Sequence, residues 1–198
     1  MTTEKIYISA QQLLEDSLEL GRQIIASDFR PNFIVGVWRG GTPVGITVQE
    51  LLDFFGLQTD HISIRTSSYS GMDARREGKV RVHGLGYLEQ QMNAEDSLLI
   101  VDDVFDTGLS VKAIVDKLRQ RARRNLPHDV RVATAYYKPG RNRTDFEPDF
   151  CVHRTDEWLV FPHEMDGLSL AEVREHKPHL ARVVDALAGV AEPVKLRR

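Results

Sequence analysis

Apolar positions along this chain follow two rhythms. NFIVGVW (32–38), SLLIV (97–101) and VRVATAYY (130–137) are short, nearly continuous apolar runs and read as strands buried on both faces. Between them, apolar residues recur at intervals of three and four, as one face of a helix requires. Leu13, Leu14, Leu18 and Ile24 form the first such stripe, in a helix opened by a Ser9/Gln12 capping box and running to about Ile25. Val44, Val48, Leu51 and Leu52 form the second, with Pro43 in its first turn, and Val111, Ile114, Val115 and Leu118 form the third. HISIRT (61–66) alternates like a half-buried strand, and FCVHR (150–154) and WLVF (158–161) are further short strands. SSYSGMDARREGKVRV (67–82) is polar and glycine-containing before alternation returns, which predicts a mobile loop or hairpin. Ser169 and Glu172 repeat the capping-box pattern and open a C-terminal helix. Strands alternating with helices predict an α/β fold built on a doubly wound parallel sheet. Such sheets bind ligands outside the C-terminal ends of their strands, so the loops 38–42, 102–110 and 138–145 become the candidates.

Composition narrows the class. The 198 residues suffice for one domain with a full core and an extra flap. A formal charge of −3 gives no global attraction to nucleic acid or an anionic membrane. A single cysteine, Cys151, excludes an intrachain disulfide framework and suits a reducing compartment. The N-terminal stretch is acidic where a signal peptide is basic, and no apolar run is long enough to span a bilayer. One cytoplasmic domain is the expectation, with no nucleic acid or membrane partner. The basic run RQRARR (119–124) ends a helix, where it complements the dipole, and the seven histidines form no zinc-binding set.

The segment VDDVFDTGLS (101–110) poses the chemical question. Thr107, Gly108, Leu109 and Ser110 open a helix after a buried strand, and free backbone N–H groups with two hydroxyls suit a phosphate. Asp102, Asp103 and Asp106 repel a phosphate, but they accept from hydroxyl groups, hold hydrated Mg²⁺ and take up protons. A 5-phosphorylated ribose satisfies both halves: Asp102 and Asp103 take the ribose hydroxyls and 107–110 the phosphate. An acidic turn that only caps a helix is the structural alternative. No G-x-x-x-x-G-K-[ST] occurs, and Gly84 and Gly86 lack the third glycine of a dinucleotide fingerprint.

LLIVDDVFDTGLS resembles the phosphoribosyl-pyrophosphate (PRPP) signature of type I phosphoribosyltransferases. VGVWRGGTPVG resembles the pyrophosphate loop of that family, and SSY (67–69) the start of its flexible catalytic loop. ATAYYKPG, followed by PDFCVHRTDEWLVFPHE, resembles the purine strand and hood of the 6-oxopurine branch, the hypoxanthine, guanine and xanthine phosphoribosyltransferases. The resemblance covers about residues 33–166. It implies a single phosphoribosyltransferase domain over 1–198, with a core at about 30–140 and a small hood from about 141–170 plus the N-terminal segment.

The resemblance also implies roles. Arg39, Gly40 and Gly41 bind the pyrophosphate, the family often holding the peptide at Arg39 in the cis form. Asp102 and Asp103 bind the ribose hydroxyls, partly through Mg²⁺, and Thr107, Gly108, Leu109 and Ser110 hold the 5-phosphate. Asp106 accepts the purine proton near N7, while Ser68 and Tyr69 close over the site and exclude water. Lys138 donates to the 6-oxo group, Trp158 stacks on the base, Leu159 reads it through its backbone, and Glu164 reaches a metal or the purine edge. The implied activity is purine salvage: a 6-oxopurine and PRPP give the nucleoside 5′-monophosphate and pyrophosphate, with Mg²⁺ as cofactor, in a homodimer or homotetramer. A non-catalytic PRPP- or nucleotide-sensing regulator of the same fold is the alternative. Leu109 and Ser110 depart from the lysine or glycine and threonine of many members, Phe105 is bulky for its place, and His163 and Glu164 stand where some relatives have tryptophan and aspartate.

Overall fold

The computed structural model describes residues 5–68, 80–187 and 190. The chain divides into two compact units, Gln11–Glu157 and a smaller one made of Met1–Ala10 with Trp158–Arg198. The elements in chain order are β1 (Lys5–Tyr7), α1 (Ala10–Ala26), β2 (Phe33–Trp38), α2 (Gly41–Phe54), β3 (Asp60–Ser68), β4 (Val80–His83) and α3 (Gly86–Gln91). They continue as β5 (Ser97–Phe105), α4 (Leu109–Ala122), β6 (Asp129–Tyr137), β7 (Phe150–Arg154), β8 (Trp158–Val160), α5 (Leu170–His176) and α6 (Pro178–Ala186).

The larger unit is a six-stranded sheet in the order β4-β3-β2-β5-β6-β7. All neighbours pair in parallel except β4, which returns antiparallel along β3 with Arg65 opposite His83. Alternation of side chains distributes the core to both faces. On one face Phe33, Val35, Val37, Leu98 and Ile100 meet Leu85, Leu88 and Met92 near and on α3 and Val111, Ile114 and Leu118 of α4. On the other, α2 lies on β2 and β5 with Val44, Val48 and Leu52 fully buried. The doubly wound parallel sheet is therefore as expected, with one antiparallel edge strand.

Three boundaries differ from the sequence reading. β5 does not stop at Val101 but continues through Asp102 and Asp103 to Phe105, paired with β6 as far as Tyr137. The short helix α3 has too few turns to show a period and was not signalled. The C-terminal helix is two helices, because Pro178 has no N–H to continue the first. The capping box at its start is formed, Ser169 and Glu172 each satisfying the other's backbone N–H. The expected loop or hairpin at 67–82 ends in β4, and its residues 69–79 lie outside the described residues.

One buried carboxylate ties the sheet to α1. Asp16 is only 3% exposed and accepts from Tyr136 Oη on β6 at 3.1 Å and from Gln12 at 2.9 Å, with His153 Nε2 of β7 at 2.7 Å. A buried carboxylate is tolerable only when such donors surround it. Tyr136→Phe removes one donor and keeps the ring that stacks on His153 at 4.8 Å. It is expected to lower stability by about 1–3 kcal/mol, seen as a lower urea midpoint with an unchanged slope. A midpoint equal to that of the unmodified protein would show that Asp16 does not need this bond.

Candidate active site

The acidic strand end and the glycine loop are built against each other. β2 ends at Trp38, the Trp38–Arg39 peptide is cis, and α2 begins at Gly41. A Cβ at Gly40 would collide with the Asp103 carboxylate, and one at Gly41 with the carbonyl of Val101 and, at 2.8 Å, with Cα of Asp102. Only glycine lets the turn approach the strand this closely. Asp103 is 7% exposed and its Oδ1 accepts from Val104 N at 2.8 Å, while Asp102 accepts from Asp103 N at 3.0 Å and from the Gly41 backbone. Burial first, and the neighbouring Asp103 charge second, push the Asp102 carboxyl well above its ordinary range, against the smaller downward pull of the two backbone donors.

The turn between β5 and α4 is only Asp106, Thr107 and Gly108. Gly108 caps α4 with φ 73°, and a Cβ there would sit 2.6 Å from the Phe105 ring and 2.9 Å from the Thr144 methyl. The glycine is thus required twice, by backbone and by space. Thr107 Oγ1 lies 3.5 Å from Leu109 N, and Ser110 Oγ 3.5 Å from Thr66 Oγ1 of β3. The N–H groups at the head of this 14-residue helix and the hydroxyls of Thr107 and Ser110 are groups that can receive an anion.

The segment after β6 runs alongside this turn and fixes it. Lys138 N donates to Phe105 O at 3.0 Å, and Arg143 N donates to Thr107 O at 3.0 Å. Arg141 Nε lies 2.7 Å from Asp106 Oδ1, a charge contact whose angle does not make a directed hydrogen bond. Phe105 is edge-on to both Tyr137 and Phe146, at 5.5 and 5.6 Å, which explains a bulky residue in the acidic segment: it glues two loops together. Lys138 is 5% exposed, and none of the hydrogen bonds or ion pairs among the described residues uses its ammonium.

The structure therefore brings Gly40, Gly41, Asp102 and Asp103 into contact, and gathers Asp106, Thr107, Gly108 and the Lys138 backbone on one adjoining edge. Arg39 lies between the glycine loop and β2, Leu109 and Ser110 start α4, and Ser68 ends β3, while Tyr69 is outside the described residues. Trp158, Leu159 and Glu164 belong to the smaller unit. There Trp158 is 54% exposed, Leu159 is buried, and Glu164 Oε2 accepts from Phe161 N at 3.0 Å. Among the described residues no group of three or more His, Cys, Asp or Glu side chains gathers into a metal site. The sequence reading missed Arg141, whose single 3₁₀ turn (Pro139–Arg141) is too short to give a periodic signal, and Thr42, whose buried Oγ1 has no hydrogen-bond partner among the described residues and which directly follows the glycine pair.

A mainly parallel sheet whose switch-point edge presents a glycine loop, paired carboxylates and the N-terminus of a helix is the architecture of a type I phosphoribosyltransferase. The chain belongs to the phosphoribosyl transferase domain family, whose model matches residues 6–168. It is 25% identical over 179 residues to a hypoxanthine-guanine phosphoribosyltransferase of Bacillus subtilis, covering 89% of this chain and 91% of that one. It is 27% identical over 149 residues to the protein of the same name from Lactococcus lactis, covering 74% of each. Its fold matches the crystal structure of a purine phosphoribosyltransferase from Pyrococcus horikoshii with a TM-score of 0.64 at 24% identity, covering 83% of this chain and 97% of that chain. The expected family, fold and pentosyltransferase class are borne out.

The raised Asp102 carboxyl gives a test of the site's cost. The folded chain keeps that proton to higher pH than the unfolded chain, whose carboxyl titrates near 3.8. Ionising it is therefore a penalty on folding, absent below the ordinary carboxyl range and growing as pH rises through the raised value. Asp102→Asn is expected to melt higher than the unmodified protein at pH 7–8, with the gap closing toward pH 4. A lower melting temperature for the variant at pH 7 would sink this account.

Proposed function

We propose that this protein salvages 6-oxopurines, converting hypoxanthine, guanine or xanthine and PRPP to the nucleoside 5′-monophosphate and pyrophosphate. The observation that carries the reading is Lys138: a buried cation at the sheet edge, locked by its own N–H to the strand end that bears the acidic residues, with no side-chain acceptor among the described residues. An ammonium offers three donors and no acceptor. A 6-oxo group matches it, whereas the amino group of adenine sets donor against donor. The names of the B. subtilis and L. lactis relatives support the same base class.

In this reading Arg39, Gly40 and Gly41 hold the pyrophosphate through backbone N–H groups. Asp102 and Asp103 take the ribose hydroxyls, and Thr107, Gly108, Leu109 and Ser110 the 5-phosphate. Asp106 takes the proton from the purine as the ring nitrogen bonds to the ribose carbon and the carbon–oxygen bond to pyrophosphate breaks. The Arg141 guanidinium lies beside Oδ1 of that carboxylate and leaves Oδ2 for the proton. Ser68 and Tyr69 begin the loop that excludes water, and Lys138, Trp158 and Leu159 read the base. The donor set fits Mg²⁺, because two adjacent carboxylates, one with its pKa pushed up by burial and by the other, are what a hard dication relieves. Bound with PRPP, the ion would be held by Asp102 and Asp103 and would neutralise the leaving pyrophosphate, and Glu164 would be left for the purine edge.

No helix among the described residues is long and apolar enough to cross a membrane. Action in the cytoplasm, and assembly as a homodimer or homotetramer, complete the proposal. Exposed Ile46, Phe54 and Phe55 on and just after α2 support assembly, as apolar surface that a partner would cover.

Initial rates with adenine, hypoxanthine, guanine and xanthine at saturating PRPP–Mg²⁺ test the base class. Adenine is expected to be rejected by up to about 10⁴-fold, and Lys138→Ala to lower 6-oxopurine turnover with little change in PRPP affinity. Asp106→Asn is expected to lower turnover by about 10²–10⁴ while PRPP binding persists. Efficient adenine turnover would refute the role of Lys138. PRPP binding without turnover of any base would instead identify a sensing module.

A further inference from the structure

The family model stops at residue 168, yet the segment beyond it grips the strand and turn to which the base-reading role falls. β1 and β8 are three residues each, and a two-stranded ribbon of that size is not stable alone. Two sets of contacts from the C-terminal segment hold it. Glu172 Oε1 on α5 accepts from Lys5 Nζ at 2.6 Å and from Tyr7 Oη at 3.2 Å, and the Tyr7 ring stacks on His176 at 3.9 Å. These fix β1, which pairs in register with β8, Lys5 opposite Trp158 and Ile6 opposite Leu159.

The second set centres on Lys177, at the break between α5 and α6. Its Nζ donates to Phe161 O at 2.6 Å, Pro162 O at 3.2 Å and Glu164 O at 2.6 Å. An ammonium has three donors, and all three go to one turn. Carbonyl dipoles converging on a point repel one another unless a cation lies between them. Within the turn, Glu164 N also donates to Phe161 O at 3.0 Å, Phe161 N donates to Glu164 Oε2 at 3.0 Å, and the Phe161 and His163 rings stack at 5.8 Å. Lys177 thus acts as an internal cation for the turn that follows Trp158 and Leu159. The break made by Pro178 frees Lys177 from regular helix geometry and aims it there.

We propose that Lys177 is a positioning residue for base recognition: the C-terminal helices clamp β8 and the turn 161–164, Lys177 from the turn side and Glu172 through β1. This rests on the assignment of Trp158, Leu159 and Glu164 to the purine. PRPP binding depends on residues of the larger unit and is independent of the clamp.

Lys177→Met, Lys177→Arg and Glu172→Gln, compared with the unmodified protein, test it with three readouts. These are PRPP–Mg²⁺ affinity by equilibrium titration, KM and kcat for hypoxanthine and guanine, and amide exchange of 158–164 without ligand. Lys177→Met is expected to raise the purine KM by about tenfold or more, to speed that exchange by a similar factor, and to leave PRPP affinity within about twofold. Lys177→Arg is expected to recover most of both effects, and Glu172→Gln to repeat them more weakly. Equal loss of PRPP affinity and purine KM would overturn the proposal by showing a general stability effect. An unchanged purine KM beside faster exchange would overturn it by showing that the clamp does not serve recognition. Unchanged exchange in Lys177→Met would overturn the clamp whatever the substrate. Failure of the unmodified protein to use any 6-oxopurine would strike the base assignment instead, and the exchange readout separates the two. If Lys177→Met does not fold, the same outcomes are read from Glu172→Gln, which leaves Lys177 in place.

Discussion

Two neighbouring carboxylates at the end of a buried strand set the terms for everything around them. Asp103 is buried and Asp102 half-buried, and backbone donors lie within reach of both. That closeness explains the glycines at 40 and 41, since any side chain at either position would occupy the space of the carboxylates or the strand. It also explains why the Asp102 carboxyl is held toward its neutral form in the free protein. The arrangement costs folding stability, and in the proposed function a ligand's hydroxyl groups and a dication would relieve it, a common division of labour between stability and activity.

A second loop makes the first one rigid. Backbone bonds from Lys138 and Arg143 to Phe105 and Thr107, and the aromatic contacts of Phe105, hold the turn 106–108 against the segment that follows β6. The turn 106–108 and Lys138 are thereby parts of one hydrogen-bonded strip. Asn142 braces that strip from behind, its amide donating to Tyr137 Oη at 3.1 Å and Phe146 O at 2.9 Å.

Much of this was legible in the chain. Buried strands and apolar stripes are local patterns, and they located the sheet and its main helices. The Thr107–Gly108 turn was legible because its conformation depends on its own residues. Asp102 and Asp103 were read as loop because charge rarely extends a buried strand; here pairing with β6 overrides that preference. Arg141 was invisible because its partner is 35 positions away in a loop with no period. Thr42 and Lys177 were missed for a related reason: what matters about each is where the backbone aims it, and no spacing rule encodes that.

Arg141 beside Asp106 also bears on reorganisation energy. In water, dipoles must turn as a proton moves and a bond breaks, and that turning is much of the barrier. In the proposed reaction part of that turning would already be done at Asp106: a guanidinium stands 2.7 Å from one oxygen, and the adjoining backbone is bonded to the turn that carries it. The electric field felt at that carboxylate belongs to the free protein, ahead of any substrate.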